Sequence, residues 1–335
     1  MAVDLRTKYL GLELANPLVV AASPLTGEID SLKALESAGA GAVVLRSLFE
    51  EQIQHEEVAA QDLFLQGAEI SPEVTGFFPE LEDYNTGPDS YLGLIQQAKR
   101  ALTVPVIASL NGHTKGGWTR YASLFEEAGA DAIELNVYFL ATDPNVSGAE
   151  VEQRYIDLVG SVTSQVKIPV SVKIGPFFSS LPNFVLRVID AGAAGMVMFN
   201  RFVQPDVYLD ELTVGPRLVL SNREEARLSL RWIAIMRSLT EASLAANTGV
   251  HRAEDAVKLL LAGADVVQVA SCLIERGPLH AETLLRGIEA WMEDGEYESV
   301  AQLRGSLSQR NVPDPEAFER ANYMKALVTY ASQQP

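Results

Sequence analysis

Four stretches of the chain repeat one pattern, and it restricts the fold more than any other feature: a helical segment runs into Ala-Gly-Ala, and a short apolar run follows at once. They are SAGAGAVVL at residues 37–45, EAGADAIEL at 127–135, DAGAAGMVMF at 190–199 and LAGADVVQV at 261–269. A glycine just past the last helical turn takes the left-handed cap conformation. The apolar run behind it reads as a strand buried on both faces, the signature of a parallel sheet covered by helices. Helix, cap and buried strand, repeated, means an α/β fold with parallel strands.

Filling the gaps between the repeats predicts eight strands, at 18–23, 42–46, 106–110, 132–137, 170–174, 195–199, 242–246 and 266–270. Helical periodicity lies between most of them, at 30–38, 118–128, 151–166 and 253–261. Eight alternations predict a closed (β/α)8 TIM barrel. No linker or low-complexity tract divides the 335 residues, so one domain is expected, with the barrel over about 16–296 and a helical extension over 297–335. KYLGLELANP, before the first strand, reads as a short hairpin plugging the barrel bottom. Two irregular insertions, 50–89 and 202–222, fall on the strand-to-helix side, where barrel active sites are built.

Forty-seven per cent of the residues are hydrophobic, ample for such a core. The net charge of −18 argues against a nucleic-acid partner, because phosphate backbones are held by clustered Lys and Arg. Residues 1–9 carry Asp4, Arg6 and Lys8 and no apolar stretch, so neither a secretory signal nor a membrane anchor is expected, and a cytoplasmic location follows. Cys272 is the single cysteine; it rules out internal disulfides and an iron–sulfur cluster held by this chain alone, and it reads as core. His55, His113, His251 and His280 lack metal-ligand spacing, so no metal is expected. GHTKGG at 112–117 lacks the spacing of a phosphate-binding P-loop.

In a barrel the chemistry sits where each strand ends. Those positions are Ser23, Arg46 with Ser47, Asn111, Asn136, Lys173, Asn200, Thr248 with Gly249, and Ser271, a polar group on all eight strands. Lys173 ends an otherwise apolar strand, so its ammonium points into the mouth. It is read as a charge stabilising an anionic cofactor, as a Schiff-base amine or as half of a structural salt bridge. The seventh and eighth strands end in AANTG and VQVAS, with helices expected to start near Arg252 and Pro278. Backbone N–H groups of two adjacent loops beside a helix start make a phosphate grip.

Taken in order, NPLVVAASP, GAVVLRS, ASLNG, ELN, VKIG, FN and NTGVHRAEDAVKLLLAGADVVQVAS resemble the successive strand ends of the dihydroorotate dehydrogenase family, over residues 16–277. The resemblance implies an FMN-binding barrel. It puts the backbone of Ala22 and Ser23 beside the flavin ring, Asn111 and Asn136 in hydrogen bonds to the flavin, and Lys173 near flavin N1 and C2=O, where reduction deposits negative charge. Ser47 and Asn200 complete the flavin contacts, and Thr248, Gly249, Ala270 and Ser271 hold the phosphate. It further implies that Asn85, Asn136, Asn145 and Asn200 hold a planar pyrimidine, since an amide donates and accepts at once.

The family's catalytic loop carries Cys-Pro-Asn or Ser-Pro-Asn after the fourth strand. This chain has Asp143-Pro144-Asn145, displaced by about four residues, so Asp143 is the candidate base, with Thr142 as the fallback. A carboxylate of ordinary pKa ~3.9 is a weaker base than a thiolate near 8.5 and needs desolvation to serve. Arg46 stands where the family commonly has lysine and is read as a substrate contact. The function implied is an FMN oxidoreductase acting on a CH–CH bond, with dihydroorotate as substrate and pyrimidine biosynthesis as its setting. The alternatives are a related enzyme taking another dihydropyrimidine-like or cyclic amide substrate, a flavin-free lyase using Lys173 as a Schiff base, or a non-catalytic FMN-binding protein. A homodimer is expected, with an electron-transfer partner left open.

Overall fold

The computed structural model describes residues 3–49, 88–112, 115–137, 139–201, 203–320 and 322–332. Asn85, His55, His113 and the insertion at 50–87 lie outside the described residues. Eight parallel strands close a barrel in the order β3 (Leu18–Val20), β4 (Ala42–Val44), β6 (Val106–Gly112), β7 (Ala132–Val137), β8 (Val170–Ile174), β9 (Gly195–Met198), β12 (Ser243–Asn247) and β13 (Val266–Val269), which pairs back with β3. β5 (Leu48–Phe49) continues the run of β4 and also pairs with β6. All eight expected strands are present.

Helices α1 (Ile29–Ser37), α2 (Pro88–Ala101), α3 (Lys115–Glu127), α4 (Gly148–Thr163), α5 (Leu181–Asp190), α6 (Ala226–Arg237), α7 (Ala253–Ala262), α8 (Ser271–Arg276) and α9 (His280–Asp294) surround it. The glycine of every Ala-Gly-Ala repeat, Gly39, Gly129, Gly192 and Gly263, has φ between +95° and +125°, so the repeat is the helix stop that delivers the chain to the next strand.

The barrel interior changes character along its axis because side chains two residues apart on a strand share a face. At the bottom Val19, Val44, Ile107, Ala132, Val197, Ala245 and Val266 form an apolar layer capped by Tyr9, Leu10 and Leu14. Those three come from the expected hairpin, β1 (Thr7–Tyr9) and β2 (Leu12–Leu14), whose Leu10-Gly11 turn has positive φ at both residues, the type I′ geometry suited to a two-residue hairpin. One level up, Ser109, Glu134 and Ser171 stand in register, and one level higher still Asn111, Asn136 and Lys173 do the same. An apolar floor with polar rings above it aims the chemistry at the C-terminal mouth.

Three features depart from expectation. The insertion at 202–222 is not irregular: it holds an antiparallel hairpin, β10 (Gln204–Tyr208) and β11 (Thr213–Arg217). Its side chains are largely exposed on both faces, so no in–out alternation marked it in the sequence. The chain enters helix α8 directly at Ser271, before the helix expected near Pro278, with Gly277 at φ +82° separating α8 from α9. In the extension, α10 (Val300–Leu303) buries Val300 and Leu303, and α11 (Glu316–Glu319) lies against α6, but α12 (Tyr323–Ser332) exposes Tyr323, Met324, Leu327 and Val328 rather than packing on the barrel.

Candidate active site

A cavity of about 490 Å³ opens at the C-terminal mouth, within the range of small-molecule sites. Its walls come from the ends of β3, β8, β9, β12 and β13 and from the segment leading out of β11. Among the residues expected at the site, Ala22, Ser23, Lys173, Asn200, Thr248, Gly249, Ala270 and Ser271 line this one chamber.

Lys173 stands at the inner end, buried, with Nζ 3.3 Å from a Glu134 carboxylate oxygen and 3.4 Å from the Gln268 amide oxygen. Glu134 is itself 1% exposed, and its other oxygen accepts from the Gln268 amide at 2.6 Å. Each member of the triad covers the polarity of the next, as a buried ion pair requires. Glu134 and Gln268 are not among the expected site residues; their signal in the sequence is a carboxylate and an amide placed mid-strand in the apolar runs AIEL and VVQV. Asn136, beside Lys173 in register, accepts from the Asn200 amide at 2.8 Å, so these two asparagines form a unit with Asn200 on the cavity wall.

At the other end of the chamber, β12 finishes in Asn247, whose amide donates to the Phe199 carbonyl at 2.9 Å, as does the Thr248 hydroxyl at 3.1 Å. Thr248 and Gly249 both take positive φ, +79° and +83°. For a β-branched residue that is an unusual conformation, of the kind concentrated at ligand sites. Gly249 is fixed for a second reason: a Cβ there would lie 2.3 Å from the Ala226 backbone nitrogen at the start of α6. Across from it, Ser271 opens α8, and its Oγ accepts from the Ser221 backbone N–H at 3.1 Å.

The remaining candidates are placed differently. Arg46 ends its strand beside the turn at 24–27, where a Cβ on Gly27 would stand 3.0 Å from its Cδ. Ser47 shares a 2.8 Å hydroxyl–hydroxyl bond with Ser109, and Asn111 is half-buried at the level of Asn136. None of these three, nor Asp143 or Asn145, is among the described residues lining the cavity.

Asp143 and Thr142 are exposed. The Asn145 backbone N–H and side-chain amide both donate to Asp143 Oδ1 at 2.9 Å, and these bonds hold its carboxyl below the usual carboxylate range. The desolvation that a basic carboxylate needs is not supplied in this conformation. Cys272 is buried, and burial pushes its thiol up to about 12, the state of a core cysteine rather than a nucleophile.

The donor set fits a flavin nucleotide. Ser23 Oγ is buried against the cavity without a hydrogen-bond partner among the described residues, a ready contact for a polar ring edge. The Lys173 cation and the small residues Gly249, Ala270 and Ser271 line the same chamber.

A barrel with its polar groups gathered at the C-terminal strand ends defines a barrel enzyme. The sequence model of dihydroorotate dehydrogenase matches residues 78–292, and the chain belongs to the dihydroorotate dehydrogenase family. It is an oxidoreductase acting on CH–CH donors.

Among similar proteins, the putative dihydroorotate dehydrogenase A (fumarate) of Aeropyrum pernix is 28% identical over 90% of this chain and 97% of its own length. The dihydroorotate dehydrogenase B (NAD(+)) catalytic subunit of Methanosarcina acetivorans is 30% identical over 88% of this chain and 93% of its own. The NAD-dependent dihydropyrimidine dehydrogenase subunit PreA of Escherichia coli is 25% identical over 95% and 80%. Among the described residues no helix is long and apolar enough to cross a membrane.

Proposed function

We propose that the chain binds FMN in the mouth cavity and oxidises the CH–CH bond of a dihydropyrimidine-like cyclic amide, dihydroorotate first among them. The observation that carries this reading is the single chamber joining the Lys173 ammonium to the Thr248-Gly249 and Ala270-Ser271 backbone. FMN, when bound, supplies the hydride acceptor. Lys173, anchored by Glu134 and Gln268, places positive charge where reduction deposits negative charge. Ala22 and Ser23 face the ring, the Asn136–Asn200 pair offers amide donors and acceptors to a planar substrate, and the two outer loops hold the phosphate. Asn111 and Ser47 are assigned to the flavin, and Arg46, Asn85 and Asn145 to the substrate side. Asp143 takes the proton once desolvated and freed from Asn145.

Lys173 Nζ is engaged by a carboxylate and an amide oxygen rather than standing free for attack on a carbonyl, so the Schiff-base reading is the weaker one. The relatives' names divide between dihydroorotate and dihydropyrimidine, and several are catalytic subunits. An electron-accepting partner subunit fits a chain with one cysteine, and the expected homodimer has exposed apolar surface available on β10–β11 and α12.

The test is the visible spectrum of the purified protein, followed by anaerobic addition of dihydroorotate and then of dihydrouracil. A yellow protein bleached by one of them, and not bleached as the Asp143→Asn variant, is the expected result. A protein that stays colourless after incubation with FMN would overturn the reading.

A further inference from the structure

The chain carries a net charge of −18, yet the described residues lining the mouth cavity include three cations, Lys173, Arg201 and Arg217, and no carboxylate. An acidic protein that gathers cations around one chamber concentrates anions there. Two of these cations are committed elsewhere. Lys173 is engaged by Glu134 and Gln268, and Arg217 pairs with Asp206 across the β10–β11 hairpin at 2.6 Å.

Arg201 is held differently. Its Nε donates to a Glu225 carboxylate oxygen at 2.7 Å, and among the described residues its Nη1 and Nη2 bond nothing. The other oxygen of Glu225 accepts the Asn222 backbone N–H at 3.0 Å, in the turn that leads into α6. One carboxylate therefore fixes the guanidinium through a single nitrogen and leaves the two terminal nitrogens for a ligand.

We infer that Arg201 is a specificity-determining residue, taking a carboxylate carried on the ring of the planar amide substrate, with Glu225 as its positioning residue. This rests on the reading of the cavity as the substrate site. Two parallel N–H donors match the two oxygens of a carboxylate, a geometry that lysine does not offer. Arg201 follows directly on Asn200, whose amide donates to Asn136, so the residue that meets the ring and the residue that meets the carboxylate are consecutive in the chain. Arg46, also assigned to the substrate side, is not among the described residues lining the cavity. A ring that bears a carboxylate fills the open fork, and an uncharged dihydropyrimidine leaves it empty.

The experiment measures, by calorimetry on the full-length protein with and without added FMN, the affinity for orotate, which carries the carboxylate, and for uracil, the same ring without it. Wild type is expected to prefer orotate by about ten-fold or more, the scale of hydrogen bonds to a charged group. Arg201→Met is expected to abolish the preference while uracil affinity stays unchanged, which also reports an intact pocket. Arg201→Lys, with the charge but not the fork, recovers part of it. Glu225→Ala lowers the preference, and Glu225→Gln, which keeps a carbonyl acceptor for Nε, restores it. A wild type without the preference, or a preference that survives Arg201→Met, overturns the assignment alone. So does an Arg201→Met protein that loses affinity for FMN but not for riboflavin and still prefers orotate, since Arg201 would then serve the phosphate. A wild type that binds neither ring, with FMN or without, overturns the reading of the cavity and the assignment with it.

Discussion

Lys173 and Glu134 carry two roles that substitution can separate. Removing the ammonium leaves a carboxylate that is 1% exposed without its counter-charge, which costs about 3–5 kcal/mol in buried pairs. Lys173→Met is therefore expected to lose stability on that scale, read from the denaturant midpoint, together with flavin reduction. The double variant Lys173→Met with Glu134→Gln removes both charges and is expected to recover most of the stability while flavin reduction stays lost. Recovery of reduction in the double variant would assign Lys173 a structural role only. At this scale the sequence was partly legible. Lys173 stood out because an ammonium at the end of SVKIG has no place in a buried strand unless something receives it. Its receivers were hidden, since Glu134 and Gln268 lie 39 and 95 residues away and only barrel closure brings them to Nζ. At Asp143 the resemblance located the loop, while the local turn was less legible: Asp-Pro-Asn satisfies the carboxylate within two residues and leaves it exposed.

Elements were legible wherever a periodic apolar face was buried. The four Ala-Gly-Ala caps and eight strands followed from that rule, whereas β10–β11, exposed on both faces, gave no alternation to read. Helix α7 shows how an element terminus is fixed by charge. Burial pushes the Asp255 carboxyl up, but bonds from the Arg223 guanidinium and from the His251 and Arg252 backbone N–H groups outweigh it and hold the carboxyl below its usual range. A carboxyl depressed in the folded chain contributes stability that is present above the unfolded value of ~3.9 and is lost as pH falls through the lower folded value. Asp255→Asn is expected to cost about 1–3 kcal/mol at neutral pH, the sum of a cap and its charged partner. Urea unfolding at a series of pH values should show this gap constant above about pH 5 and closing toward acid. A gap that widens toward acid would mean that the carboxyl is not depressed.

Across the whole molecule, the end of the barrel opposite the cavity is tied by one buried carboxylate. Asp265 is 3% exposed and binds Arg237 of α6 at 2.5 Å, Arg304 from the segment after α10, and the Leu244 backbone N–H of β12 at 2.7 Å. Its carbonyl accepts the Thr7 hydroxyl of the plugging hairpin at 2.9 Å. The segment beyond α10 is laced to the helix ends by the Gly305, Leu307 and Gln309 backbone N–H groups, which donate to Leu260, Leu261 and Ala234. N-terminal hairpin, barrel and the first part of the extension thus share one junction, which supports reading the chain as a single folding unit. Asp265→Ala strands two guanidinium groups and is expected to lower stability by about 3–5 kcal/mol. Affinity for the proposed flavin should stay within about two-fold, because the junction lies at the bottom of the barrel and the candidate cavity at its mouth. The shape of the unfolding curve tests the unit itself. One transition with a lower midpoint and an unchanged slope means that hairpin, barrel and extension still unfold together. Two transitions in the variant, or a shallower slope, would show that the extension unfolds separately and that the chain holds more than one cooperative unit.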